Sequence, residues 1–144
     1  MIKFTIPGVP KAKARPRMST KTGRAYTPQD TLNYETWVKQ CYVMAVQEQQ
    51  QQTKLNLKFD GQLSAVITAY YPIPKSTSKK NRQAMRDGTI RPQVKPDTDN
   101  IAKIILDSLN QIAYNDDKQI VELAVLKYYD EEPRVEVTLS KVGD

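Results

Sequence analysis

The chain has 144 residues, no histidine, a single cysteine and a formal net charge of +6. This excludes zinc fingers, histidine-based zinc sites, internal disulfides and Ser-His-Asp or Cys-His catalysis, so acid–base work falls to carboxylates, Lys, Tyr or a metal-held water. The length predicts one domain, 1–144, and 39% hydrophobic residues allow a modest core.

In chain order, Ile2, Phe4 and Ile6 alternate with polar residues and predict a strand that Pro7-Gly8 ends. Residues 11–25 hold Lys11, Lys13, Arg15, Arg17, Lys21 and Arg24 without an acid, which predicts an exposed basic arm that internal ion pairs do not explain. Thr27, Pro28 and Asp30 then mark a helix start. Tyr34, Trp37, Val38, Cys41 and Ala45 follow at helical spacing, predicting a helix to about residue 50 with Cys41 in its apolar stripe. The glutamines at 49–52 read as its solvated end.

Leu63, Ala65, Ile67, Ala69 and Tyr71 alternate as a second strand, stopped by Pro72 and Pro74. Ser78 and Gly88 bracket a short basic helix. After Asp97, the residues Ile101, Ile104, Ile105, Leu109 and Ile112 predict one helix with an apolar face. Asp99, Lys103 and Asp107 lie at four-residue steps along one side of it. Strands are expected at about 119–129 and 134–142, joined by a turn at 130–133. The fold class is therefore α+β: a mixed, mainly four-stranded sheet with two principal helices. No run is long enough to span a membrane. The first residues lack a signal-peptide pattern, and the lone cysteine fits a reducing cytosol.

Charge is segregated. Residues 1–96 carry 17 Lys+Arg against 5 Asp+Glu, whereas residues 97–144 carry 5 against 11. Five aspartates, Asp97, Asp99, Asp107, Asp116 and Asp117, fall within 95–117. An Asp or Asn at a helix start is ordinarily a cap, and Asn-Asp-Asp an ordinary turn. Two acids and an amide, Asp97, Asp99 and Asn100, exceed what one cap needs. Clustered carboxylates repel unless a cation holds them, and Mg²⁺ prefers such hard oxygen ligands. An acidic pocket in a basic chain points to a polyanionic substrate, nucleic acid above all, and to phosphodiester cleavage. Lys103 is either an i+4 partner of Asp99 or a group that holds phosphate charge.

The run Asp97-Thr98-Asp99-Asn100-Ile101-Ala102-Lys103, with Asp107 and the pair Asp116-Asp117, resembles the RusA family of Holliday junction resolvases, many of them prophage-encoded. Pro10-Lys11, Arg15-Pro16-Arg17 and Tyr26-Thr27-Pro28 resemble the basic N-terminal segment of phage members. The resemblance implies a small homodimeric, Mg²⁺-dependent endonuclease that cuts four-way DNA junctions, with Mn²⁺ expected to substitute. It puts the metal-binding carboxylates at Asp97, Asp99 and the Asp116–Asp117 pair, with Asp117 the favoured member, and the essential lysine at Lys103. Asn100 and Asp107 are supporting residues. Lys11, Arg15, Arg17, Lys79, Lys80, Arg82 and Arg91 are candidates for backbone contacts, which position DNA without reading its sequence. Two other readings stay open: a non-cleaving recombination accessory protein, and a nuclease for flaps or other branched DNA.

Overall fold

A computed structural model describes residues 1–50 and 56–143. Its elements run β1 (Ile2–Pro7), β2 (Arg17–Met18), β3 (Ala25–Tyr26), α1 (Gln29–Gln50), β4 (Leu63–Pro72), α2 (Lys79–Arg86), α3 (Thr98–Ser108), β5 (Ile120–Asp130) and β6 (Arg134–Lys141). The fold is α+β, as the periodicities predict.

The main sheet has strand order β1-β6-β4-β5. Strands β1 and β4 both pair antiparallel with β6, while β4 and β5 run parallel. A parallel pair needs a crossover, and here the crossover carries α2 and α3. The alternating residues Ile2, Phe4, Ile6, Leu63, Ala65, Ile67, Ala69, Val135, Val137 and Leu139 are all buried and share one core cluster with α1 and α3. Helix α1 contributes Tyr34, Val38, Cys41, Tyr42, Ala45 and Val46 to that cluster, and α3 contributes Ile101, Ala102, Ile104, Ile105 and Leu106. Along β5 the register with β4 jumps from Ile120 to Glu122. Val121 is skipped and stands exposed on the outer strand.

Helix α2 starts at Ser78, whose hydroxyl accepts from the Asn81 amide, and it buries no residue. Gly88 just beyond it takes φ +85°, with the Tyr128 ring 3.4 Å from where a Cβ would stand, so both backbone and space favour glycine there.

Several expectations need correction. Helix α3 ends at Ser108, so Leu109 and Ile112 are not helical. Ser108 Oγ donates back to the Ile104 carbonyl, and the chain turns at Gln111, φ +68°, to bring Tyr114 into the core. Trp37 is 38% exposed and does not belong to the buried stripe of α1. Its indole Nε1 donates to the Pro7 carbonyl at 2.9 Å, fastening the end of β1. Gln49 is not simply solvated, because it accepts from the Lys3 amide and donates to the Lys3 carbonyl on the outer edge of β1. Gln51 and Gln52 lie outside the described residues.

The basic arm divides into two parts. Residues around the small β2–β3 pair are exposed as expected. Its root is docked: the Ala14 amide donates to the buried Thr31 Oγ1 at 3.3 Å, and Lys13 is half-buried with acidic partners. The expectation that ion pairs play no part in the arm therefore fails at Lys13. Its partners come from helices remote in sequence, which a count of acids within 11–25 misses.

Candidate active site

Asp97 is the N-cap residue of α3, with extended backbone at φ −72°, ψ 159°. Its side chain makes no capping hydrogen bond. The capping hydrogen bond that ordinarily accompanies an aspartate at this position is thus missing, and the carboxylate stays exposed at a cleft of about 550 Å³. Lys11, Asp30, Lys95 and Asn100 line the same cleft, over a floor that includes Ala12, Ala14 and Ile104. Tyr71 holds the loop before α3 by donating to the Pro96 carbonyl at 2.5 Å. Burial pushes its phenol up to about 12, and the negative charge of Asp97 adds to the rise.

Asp99, Asn100 and Lys103 are exposed on α3. From Asp97 to Asp107 the helix rises roughly 15 Å at 1.5 Å per residue. A second charged group gathers at that far end. Asp107 Oδ2 lies 2.9 Å from Lys13 Nζ and 3.2 Å from Lys103 Nζ. Glu35 of α1 stands 3.7 Å from Lys13. Partial burial opposes ionisation of Asp107, but the hydrogen bonds and charges of Lys13 and Lys103 outweigh it and hold the carboxyl below its usual range. Lys13 is raised in turn: its burial is outweighed by Asp107 and then Glu35.

Asp116 and Asp117 sit beside this group and differ in duty. Asp116 caps the short 3-10 turn Asp117–Gln119, accepting from the Lys118 amide at 3.0 Å, while Gln119 reaches back to the Asp116 amide. Asp117 has no capping role. Its carboxyl is pushed up by partial burial, then by the charges of Asp116 and the adjacent Asp107, with Lys103 pulling the other way. Negative charge is therefore in local excess at Asp117, and a cation would relieve it.

Among the described residues, no three carboxylates meet at a single point suited to a metal. The candidate acids are instead spread along α3 and beyond it: Asp97 lines the cleft, Asp99 is exposed on the helix, and Asp107 stands with Asp116 and Asp117. The donor chemistry still fits a hard divalent ion, since Mg²⁺ is commonly held by one or two carboxylates and completed by waters and substrate phosphate.

The basic candidates also divide. Lys11 reaches the cleft. Arg15, Arg17, Lys79 and Lys80 are exposed. Arg82 bonds Glu131 and the Pro74 carbonyl, and Arg91 donates to the Lys127 carbonyl at 2.8 Å with its guanidinium 4.1 Å from the Tyr128 ring centre. Both arginines thus have intramolecular duties. The sequence reading missed Lys13 and Glu35 as members of the acidic group, and Asp30 and Lys95 at the cleft. The one local signal was small: Lys13 alone in the arm lies between two alanines, Ala12 and Ala14, both half-buried.

Comparison with known proteins agrees with the motif. A family model described as endodeoxyribonuclease RusA matches residues 7–140. The uncharacterized protein YqaN of Bacillus subtilis (strain 168) is 38% identical over 144 residues, covering 99% of this chain and 97% of that protein. A match that takes in the basic arm, both helices of the core and the whole acidic region means that the chain belongs to the RusA family of endodeoxyribonucleases.

Proposed function

We propose that this chain is a divalent-metal-dependent endonuclease that resolves four-way DNA junctions as a homodimer. The observation that carries the reading is the exposed Asp97 carboxylate, placed at a helix start yet not used as its cap. Asp97, Asp99 and Asp117 would supply the carboxylate ligands, one or two to an ion whose shell is completed by waters and substrate phosphate, with Mg²⁺ the natural occupant and Mn²⁺ a substitute. Asp116 would contribute mainly by shaping the turn that presents Asp117. A bound ion supplies Lewis acidity toward a phosphate oxygen and makes a nearby water more acidic.

The chain's own part is positioning and charge. Hydrolysis of a phosphodiester builds negative charge on the phosphoryl oxygens, and the ammonium of Lys103, its side chain 63% exposed, is available to meet it. Asn100 and Lys11 at the cleft would orient the strand. Arg15, Arg17, Lys79 and Lys80 would grip phosphates over a wider footprint, with Arg82 and Arg91 supporting that surface from their intramolecular contacts. A junction has two strands to cut, and one chain carries one such acidic region, so two chains related by a two-fold axis supply two.

Incubation with labelled four-way junction, flap and linear duplex, with and without Mg²⁺, tests the reading. Paired, Mg²⁺-dependent cuts in the junction alone are expected. Equal cutting of flaps would widen the substrate class to branched DNA, and binding without cutting under any divalent ion would favour the accessory-protein reading. Light scattering should return twice the chain mass.

A further inference from the structure

Asp107 is the only carboxylate in the acidic region, among the described residues, that touches two ammonium groups, and the two are held unequally. Lys103 approaches from one turn earlier on the same helix, and its side chain is 63% exposed. Lys13 arrives from the root of the arm, its side chain 28% exposed, and touches both Asp107 and Glu35. The backbone beside Lys13 is fixed to buried Thr31 through the Ala14 amide. One lysine is therefore clamped and the other is open to solvent.

We propose that Lys13 is a positioning residue for Lys103: it is the standing counter-ion of Asp107 and so leaves Lys103 able to turn toward a DNA phosphate. The proposal rests on Lys103 contacting phosphate, as argued above. The side chain of Asp107 is only 13% exposed, and a carboxylate that buried is costly to leave without a partner. With Lys13 present, Asp107 keeps an ammonium at 2.9 Å whether Lys103 stays or leaves. Without Lys13, Lys103 would be the remaining cation in contact with Asp107. Asp117 and Asp116 crowd the same place with further negative charge, which tightens that hold. A phosphate would then have to compete with a carboxylate already in contact. If Lys13 served only to fasten the arm, its loss would weaken binding whatever residue stood at 103.

Junction affinity, read by fluorescence anisotropy of the full chain with a labelled four-way junction in EDTA, separates these cases because no cleavage is needed. The quantity followed is the loss caused by Lys103→Ala in different backgrounds. In the wild type it should be about tenfold, the low end for a charged hydrogen bond. In Lys13→Met it should fall below about twofold, because Lys103 is already captured. In Lys13→Met with Asp107→Asn it should return to about tenfold, since the captor is gone. Lys13→Arg, which keeps the cation, should behave as wild type, and Lys13→Gln serves where the Met variant does not fold. A tenfold loss that persists in Lys13→Met would overturn the inference and leave the proposed junction binding intact. A loss below twofold already in the wild type would overturn the phosphate role of Lys103 and the inference with it.

Discussion

The Lys13 ammonium donates to Asp107 Oδ2 at 2.9 Å across 94 positions of sequence. This one contact joins the root of the basic arm to the last turn of α3, beside Asp117. If the arm holds DNA, as proposed, that DNA would be referenced to the acidic region through this contact.

That contact should show in the pH dependence of stability. Asp107 titrates below its ordinary value of 3.8 in the folded chain. Its ionised form therefore stabilises the fold above that value, and the contribution is lost as pH falls through the lowered folded value. Wild type should be more stable than Asp107→Asn at pH 6, and the gap should close toward pH 3. Urea unfolding at the two pH values measures it, and an unchanged gap would mean that the carboxylate charge is not what Lys13 holds.

Asp97→Asn should lower cleavage of a four-way junction by roughly 100-fold or more, the scale for losing an electrostatic group at a reaction centre. Junction affinity should persist or rise, because a negative charge that repels phosphate has been removed. Single-turnover cleavage in Mg²⁺ alongside a binding titration reads both. Full activity in Asp97→Asn would remove Asp97 from the site.

Neighbouring Asp116 and Asp117 should respond in opposite ways. Asp116→Ala deletes a cap and should destabilise the fold by about 0.5–2 kcal/mol while leaving measurable cleavage. Asp117→Asn should abolish cleavage without loss of stability, because the ionised carboxylate is disfavoured where it stands. Thermal melts with added Mg²⁺ give a second check: the ion should raise the wild-type midpoint more than that of Asp117→Asn. The reverse pattern, a stable but inactive Asp116→Ala, would exchange the two roles.

The exposed part of the arm predicts a salt effect. If Arg15 and Arg17 each neutralise one phosphate, replacing both with Ala should reduce the slope of log affinity against log salt by about 1.8. The Mg²⁺ dependence of cleavage should stay the same. An unchanged slope would mean that these guanidinium groups face away from the bound DNA.

Most of the fold was legible because its elements bury one face each. The alternation of Ile2, Phe4 and Ile6 and of Leu63 to Tyr71, and the stripe on α1, are one-dimensional records of burial. Reading failed where a side chain serves a neighbour and not its own element. Trp37 has the right spacing for the core but fastens β1, and Ile112 continues a helical rhythm past the point where Gln111 turns the chain.

The sequence by itself determined the chemistry available: hard carboxylate oxygens, one lysine on their helix, no imidazole and an arm rich in cations. Local spacing was enough for this, because Asp97, Asp99, Lys103 and Asp107 ride one helix whose geometry is known in advance. Only the tertiary structure decided how the charges are allotted. It made Asp116 a cap and left Asp97 without one, set Arg82 and Arg91 on protein partners, and brought Lys13 and Glu35 to Asp107. Those pairings depend on how α1, α3 and the arm root pack together. Electrostatic energy depends on distance in space and on burial, and neither is written in the spacing of residues along a chain.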